Sequence, residues 1–365
     1  MQRREFLAEL KKGISGAARD KAGEILADFS EHFDEAMRDG MSEEEICAKL
    51  GQPGSIAREI MEEFAAGHGE EHGTESRNPQ PGKADYVFDG VDEIFASMGA
   101  GDIRFMREDR GNVRVTVAGE GKARHEVRMH GGRLVVRVRQ PGFFGFGSHS
   151  MFGFLGGGPE IRAEVRVPAD FCGPIKAESS AGELAASGLG SDIDFSTTAG
   201  AITVNEHGGG AARLYTGAGN VAADFLGKTK IRVQSGAGNM KLTVQEAVDS
   251  HISTGAGTVK ADIRKTSGNL SLETGAGNIK LTVREVAGNI RLQTGAGEIK
   301  AYLPDDADCR VKLNKSFLGH AKSDIRGNPD SPHILKAQSG MGGVRVKKLK
   351  DRHAENTEPQ EEKLQ

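Results

Sequence analysis

Residues 255–303 read GAGTVKADIRKTSGNLSLETGAGNIKLTVREVAGNIRLQTGAGEIKAYL, and the triplet Gly-Ala-Gly returns within them at Gly255, Gly275 and Gly295. Upstream, the same triplet begins at Gly217 and Gly236, so the five copies follow at steps of 19, 19, 20 and 20 residues. A degenerate copy, Thr198-Ala199-Gly200, lies 19 residues before the first. Self-similarity at a fixed period marks a repeat architecture. Aligned on the triplet, Val221, Met240, Val259, Ile279 and Ile299 fall in one column. Two residues on come Ala223, Leu242, Ala261, Leu281 and Ala301, and two further on Phe225, Val244, Ile263, Val283 and Leu303. A second alternating run precedes each triplet, with Leu214, Val233, Ile252, Leu272 and Leu292 in register.

Period two within a run means strand, and two runs per repeat mean two strands per rung. Stacked rungs set like residues about 4.8 Å apart and bury the apolar columns in one continuous core. The expected fold class is mainly β: a β-solenoid with two strands per 19–20-residue rung. The triplet is expected at a corner, where Gly takes positive φ and the small Ala points inward. Strand-like runs continue upstream at 85–88, 112–118, 133–140 and 160–168, and Met98-Gly99-Ala100-Gly101-Asp102-Ile103 reads as an early corner. The solenoid is therefore expected to span residues 84–348, with a disordered tail at 349–365.

The first 66 residues follow a different period and predict a small all-α bundle. Between Ala18 and Asp39, Ala22, Ile25, Leu26, Phe29, Phe33, Ala36 and Met37 are spaced by threes and fours, one face of an amphipathic helix. Gly40 stands where a left-handed C-terminal cap favours glycine. Ser42-Glu43-Glu44-Glu45 reads as a capping box for a short helix through Ile46 and Leu50, and Ile56, Ile60, Met61 and Phe64 predict a last one. Residues 67–83 are polar and rich in Gly and Pro, a flexible linker. Within it His68-Gly69-Glu70-Glu71-His72 matches H-x-x-E-H, but the surrounding glycines deny the helix that zinc chemistry requires.

The head also carries a resemblance. EFLAEL followed by ILADFSEHFDEAMRDGMSEEEICAKLGQPGSIAREI resembles the bacterial HAAS-type signalling domain over the first sixty-five residues. That resemblance implies a protein-interaction domain, with a PadR-like transcriptional regulator as an expected partner, and brings no catalytic residues. GAGNIKLTVREVAGNIRLQTGAGEIKAYLP in turn resembles the bacterial β-strand-repeat "putative adhesin" family, over roughly 84–348. This second resemblance implies a binding or scaffolding role, linked to the cell envelope or envelope stress, without known activity.

Composition excludes several classes. The chain has 51 Gly among 365 residues with no collagen period, 37% apolar residues, and no Trp. Its net charge of −4 is unevenly divided: residues 1–76 carry 9 Lys/Arg and 18 Asp/Glu, leaving the remainder positive by 5. No run approaches 18 apolar residues, so no membrane-spanning helix is expected. The charged start MQRREFLAELKKG lacks the apolar stretch of a secretion signal. We expect a cytoplasmic protein, or one peripheral at the inner face of the membrane. Cys47, Cys172 and Cys309 are too scattered for a disulfide framework or a metal knuckle, and no metal or cofactor is expected. Gly217-Ala218-Gly219-Asn220-Val221-Ala222 fits a dinucleotide pattern, yet it recurs in every rung and no crossover helix follows it.

Candidate function lies on the surface. Lys241, Lys260, Lys280 and Lys300 form one outward column, and Arg213, Arg232, His251, Ser271 and Arg291 a second. A stacked basic column suits an anionic envelope polymer or lipid, or else simply keeps the surface solvated; Asp262, Glu273, Glu285 and Glu298 lie close enough to dilute it. Nucleic acid is not expected, because no aromatics interleave. Residues 141–159, PGFFGFGSHSMFGFLGGGP, hold Phe143, Phe144, Phe146, Phe152 and Phe154. Folded back, this segment caps the solenoid; exposed, it is a membrane or partner loop. The acidic head reads as a docking domain for a protein partner or for the chain's own basic body. The leading expectation is thus a non-catalytic scaffold or signalling protein. A self-associating, end-to-end polymer is one alternative. A polysaccharide-acting enzyme using Asp192 and Asp194, or Asp305, Asp306 and Asp308, is another.

Overall fold

The computed structural model describes residues 2–14, 22–38, 41–50, 52–54, 56–57, 74–75, 83–119, 124–139, 161–314 and 319–349. It divides into two compact units, residues 1–101 with 112–163, and residues 102–111 with 164–365. The protein is mainly β, with strand after strand following the helices at its start.

The first unit opens with α1 (Arg3–Gly13), α2 (Ala22–Arg38) and α3 (Glu43–Leu50). Their apolar stripes meet as the periodicity requires: Phe6, Leu10, Phe29, Phe33 and Ile46 form a buried cluster, with Phe6 between the rings of Phe29 and Phe33 at 6.1 and 5.7 Å. α1 comes close to Ala57, since a Cβ on Gly13 would lie 2.3 Å from the Ala57 Cβ. Arg3 ties α1 to α2, its guanidinium donating to Asp34 and to the Ser30 carbonyl. The stripe expected at Ile60, Met61 and Phe64 lies outside the described residues.

This unit mixes parallel pairing, of Glu93–Ala100 with Arg133–Arg139, with antiparallel pairs. Arg124–His130 and Arg133–Arg139 are antiparallel around Gly131 and Gly132, whose φ of +53° and +80° make the two-residue turn that suits strand twist. Lys83–Phe88 is antiparallel to Val113–Ala118. Thr74–Glu75, inside the segment read as a linker, pairs antiparallel with Tyr86 and Val87.

The second unit is the β-solenoid, built from two parallel ladders. One runs through Leu184–Ser187, Ile202–His207, Val221–Ala237, Met240–Ala256, Val259–Ala276, Ile279–Ala287 and Ile299–Leu303. The sequence columns coincide with register: Val221 pairs Met240, Met240 pairs Val259, Val259 pairs Ile279, and Ile279 pairs Ile299. All these residues are buried, as are Leu214, Val233, Ile252, Leu272 and Leu292 on the facing wall. Burying a side chain of this size contributes about 1.5–3 kcal/mol relative to leaving it exposed, so each added rung extends the core.

Two features of the corners differ from expectation. First, the triplet alanine does not point inward: Ala218, Ala237, Ala256 and Ala276 are exposed. The inward place belongs to the Ser or Thr two residues earlier, because a corner carbonyl turned toward the core needs a donor there. Thr216, Ser235, Thr254, Thr274 and Thr294 donate their hydroxyls to Gly200, Gly219, Gly238, Gly257 and Gly277 oxygens at 2.9–3.2 Å. Second, the residue after the triplet caps the next rung: Asn220 Oδ1 accepts from Asn239 N, Asn239 Oδ1 from Thr258 N, and Asn278 Oδ1 from Glu298 N, all at 2.8–2.9 Å. Asp102 does the same for Glu183 N at 3.0 Å.

The rungs also leave sequence order at the C-terminal end. Ile334–Met341 lies between Ile290–Ala296 and Arg310–Asn314, pairing in parallel with both. Val344–Lys348 likewise lies between Ile299–Leu303 and Ala321–Ser323. The later rung is thus inserted beneath the earlier one, and Ser339-Gly340-Met341-Gly342 serves as its corner, with Ser339 donating to Gly297 O at 2.9 Å.

Candidate binding face

A parallel rung keeps every outward column in line, so side chains distant in sequence become neighbours at strand spacing. Lys241 pairs with Lys260, Lys260 with Lys280, and Lys280 with Lys300. The inserted rung continues the column, for Lys300 pairs with Arg345. Arg345 follows a degenerate corner, for residues 338–345 (QSGMGGVR) match 234–241 (QSGAGNMK) with Met341 in the alanine place, a signal broken from the regular period by residues 304–337. The other column also extends beyond its predicted members: Arg213, Arg232, His251, Ser271 and Arg291 are in register and continue through Lys336 to Lys312.

The acids that should dilute the lysine column are largely occupied elsewhere. Asp262 is bound by the Arg284 guanidinium, which holds the arginine charged. Glu285 pairs with Lys265, and Glu273 takes the Ser271 hydroxyl at 2.9 Å and Arg291 at 3.9 Å. Glu298 alone of the four engages the column, at 2.7 Å from Lys300 and 3.7 Å from Arg345. Among the described residues Lys241, Lys260 and Lys280 form no ion pair; Lys280 instead lies over the Tyr302 ring at 5.6 Å. Beside the cations runs a second outward row of Asp224, Thr243, Asp262, Thr282 and Tyr302, which sets carboxylates and hydroxyls next to the charges.

Three of the carboxylates weighed as catalytic acids, Asp192, Asp305 and Asp308, have other work. Asp192 accepts from Ala211 N at 2.7 Å, and Asp194 stands in register between Lys176 and Arg213. Asp305 binds the Arg326 backbone and guanidinium and lies 3.6 Å from Lys348, contacts that lower its pKa below the ordinary carboxylate value. Asp308 accepts from Asn328 Nδ2 at 2.8 Å and is lowered by that bond. These bonds lace the 304–309 turn to the loop that leads into the inserted rung. Of the cysteines, Cys309 is buried, its thiol pushed up to about 11 by desolvation, and Cys47 is also buried and raised. A shallow groove crosses the facing wall where Gly255, Gly275 and Gly295 leave room beside Ser253, Glu273 and Gln293. Among the described residues no cluster of metal-ligating side chains occurs, and no helix is long and apolar enough to cross a membrane. Phe143, Phe144, Phe146, Phe152 and Phe154 lie outside the described residues.

Rungs, corners and columns together define a repeat scaffold with an appended helical domain. A profile of the Toastrack DUF4097 family matches residues 91–328, and the chain belongs to that family. A HAAS profile matches residues 5–59. Among solved structures, one described as a "putative adhesin" from Parabacteroides merdae ATCC 43184 is 12% identical, with 73% of this chain and 95% of that one covered at a TM-score of 0.39. A "putative lipid binding protein" from Parabacteroides distasonis ATCC 8503 is 15% identical, with 73% and 97% covered and a TM-score of 0.35. At these scores the family match, and not the neighbours, places the chain. No curated protein matches it.

Proposed function

We propose that this protein is a non-catalytic binding scaffold, in which the helical domain takes a protein partner and the solenoid presents its outward columns to a ligand, in signalling tied to the cell envelope. The observation that carries this reading is the placement of side chains. The repeat surface offers long, in-register rows, while Asp192, Asp305 and Asp308, three of the carboxylates weighed for catalysis, are committed to corners and loops. The polymer alternative is less well supported. The described edge strands, Arg310–Asn314 and Ala321–Ser323, are short and carry Lys312 and Lys322, features that guard an edge against further pairing.

The test is site-specific photocrosslinking in the native host, from Met37 in the helical domain and from Tyr215 on the solenoid, both about half exposed. Distinct crosslinked species from the two positions are expected. Identical species from both, or release of a chemically altered small product on incubation with host extract, overturn the reading.

A further inference from the structure

Resting on that scaffold reading, we infer that the column Lys241–Lys260–Lys280–Lys300–Arg345 is the binding track for an extended, single-stranded phosphate polymer lying across the strands. Six cations stand in consecutive register, the fifth supplied by the rung inserted out of sequence order and the sixth, Lys322, closed off by Asp324 at 2.9 Å, so that five form the track. Four steps of about 4.8 Å make a track of about 19 Å.

Like charges stacked this closely repel one another, and a structure normally relieves that with acids in neighbouring rows. Here Asp262, the acid beside the middle of the column, is taken by Arg284, and Glu285 by Lys265. Lys241, Lys260 and Lys280 remain without a carboxylate among the described residues, and a polyanion would relieve all three together. The strip is one residue wide. On its corner side stand Asn239, Thr258, Asn278 and Glu298, and on the other side the hydroxyls of Thr243, Thr282 and Tyr302 alternate with Asp224 and Asp262. A narrow cationic file edged by hydroxyl donors suits a thin chain whose charges recur along its length. A broad anionic surface would also meet Asp224 and Asp262 in the adjacent row, whereas a thin chain meets only Glu298, at the Lys300 and Arg345 end of the track. Lysine serves phosphate well as a point charge. The second column lacks the pattern, because Ser271 interrupts it and Arg291 faces Glu273.

The test uses the full chain and labelled long-chain inorganic polyphosphate, followed by fluorescence anisotropy at fixed salt. At about fivefold per cation near an anionic partner, K241Q/K260Q/K280Q is expected to weaken binding about a hundredfold and R345Q about fivefold. R213Q/R232Q/K336Q, on the other column, is expected to leave it within twofold. Should the triple variant fail to fold, K241Q and R345Q alone carry the test, with thermal unfolding as the check on both. Three results overturn the inference: triphosphate competing as well as the long chain, equal losses from the two columns, or binding to anionic phosphatidylglycerol vesicles with none to polyphosphate. Loss of polyphosphate binding with both crosslinks retained in the wild type would remove the track and leave the scaffold standing.

Discussion

Thr294 Oγ1 donates to the carbonyl oxygen of Gly277 at 2.9 Å, inside the wall of the solenoid and across one rung. Thr294 is almost fully buried, so its hydroxyl has no water as an alternative partner, while Gly277 is half-buried. Replacing the hydroxyl with a methyl of similar shape leaves a half-buried carbonyl short of its donor, which costs about 0.5–1.5 kcal/mol. Thr294→Val is therefore expected to lower stability by that amount in urea unfolding with the slope unchanged, whereas Thr294→Ser should recover most of it. An unchanged midpoint for Thr294→Val would show that the ladder of hydroxyls is incidental to the corner.

The corner glycines answer to distance as well as to torsion. Gly257 has φ of +139°, and a Cβ there would lie 2.2 Å from Gly238 O, a backbone atom fixed by the rung below. Nothing flexible can yield, so Gly257→Ala combines left-handed strain with a forced separation of rungs. A loss of at least about 3 kcal/mol is expected, enough to appear as poor recovery of folded protein. Gly190 is the control: beyond its chain neighbours, no atom lies within 4 Å of the place a Cβ would take, and Gly190→Ala should stay within about 0.5 kcal/mol. Equal effects at the two positions in thermal unfolding would refute the close-approach account.

Glu206 makes the opposite case. Its φ is +54°, it is exposed, and it is not glycine. A residue with a Cβ held there pays about 1–2 kcal/mol, part of which glycine returns as greater freedom in the unfolded chain. Glu206→Gly is expected to raise stability by up to about 1 kcal/mol, read as an upward shift in denaturant midpoint. A lower midpoint would mean that the carboxylate contributes more than the backbone strain removes.

The solenoid was legible because its signal is redundant. Five copies of one column, Val221 to Ile299, set both the period and the inward face, and register followed without further information. The helical domain was legible for the related reason that Phe29 and Phe33 recur at helical spacing and meet Phe6. What escaped were non-local choices. Insertion of Ile334–Met341 against Ile290–Ala296 is a pairing decision between two compatible edges, and no local propensity distinguishes them. Arg345 was missed with it. The inward role of Thr294 was masked by its polarity, since a hydroxyl residue reads as solvent-facing even where parity with Leu292 sets it on the inward face. The neutralisation of Asp262 by Arg284 depends on a neighbouring rung 22 residues away, which composition near the lysine column cannot show.

His207 gives the fold a dependence on pH. It is fully buried among the rungs, its ring edge-on to Phe225 at 5.6 Å, and neither ring nitrogen has a hydrogen-bond partner among the described residues. Desolvation lowers its pKa below the ordinary histidine value of 6.5, against a smaller opposing pull from Asp192. The unfolded chain therefore binds the proton more readily than the folded one, so stability is retained above the unfolded pKa and declines as pH falls below it. The carboxylates Asp85, Asp305 and Asp308 are also shifted, but downward from a value of 3.8, so their effect begins at more acidic pH. Between about pH 6.5 and 5 the histidine contribution stands apart. Urea unfolding at pH 7.5 and 5.5 is expected to show a lower midpoint at the acidic value for the wild type and a smaller difference for His207→Leu, which fills the same apolar surroundings without a titrating group. An equal drop in both proteins would place the pH dependence on other side chains.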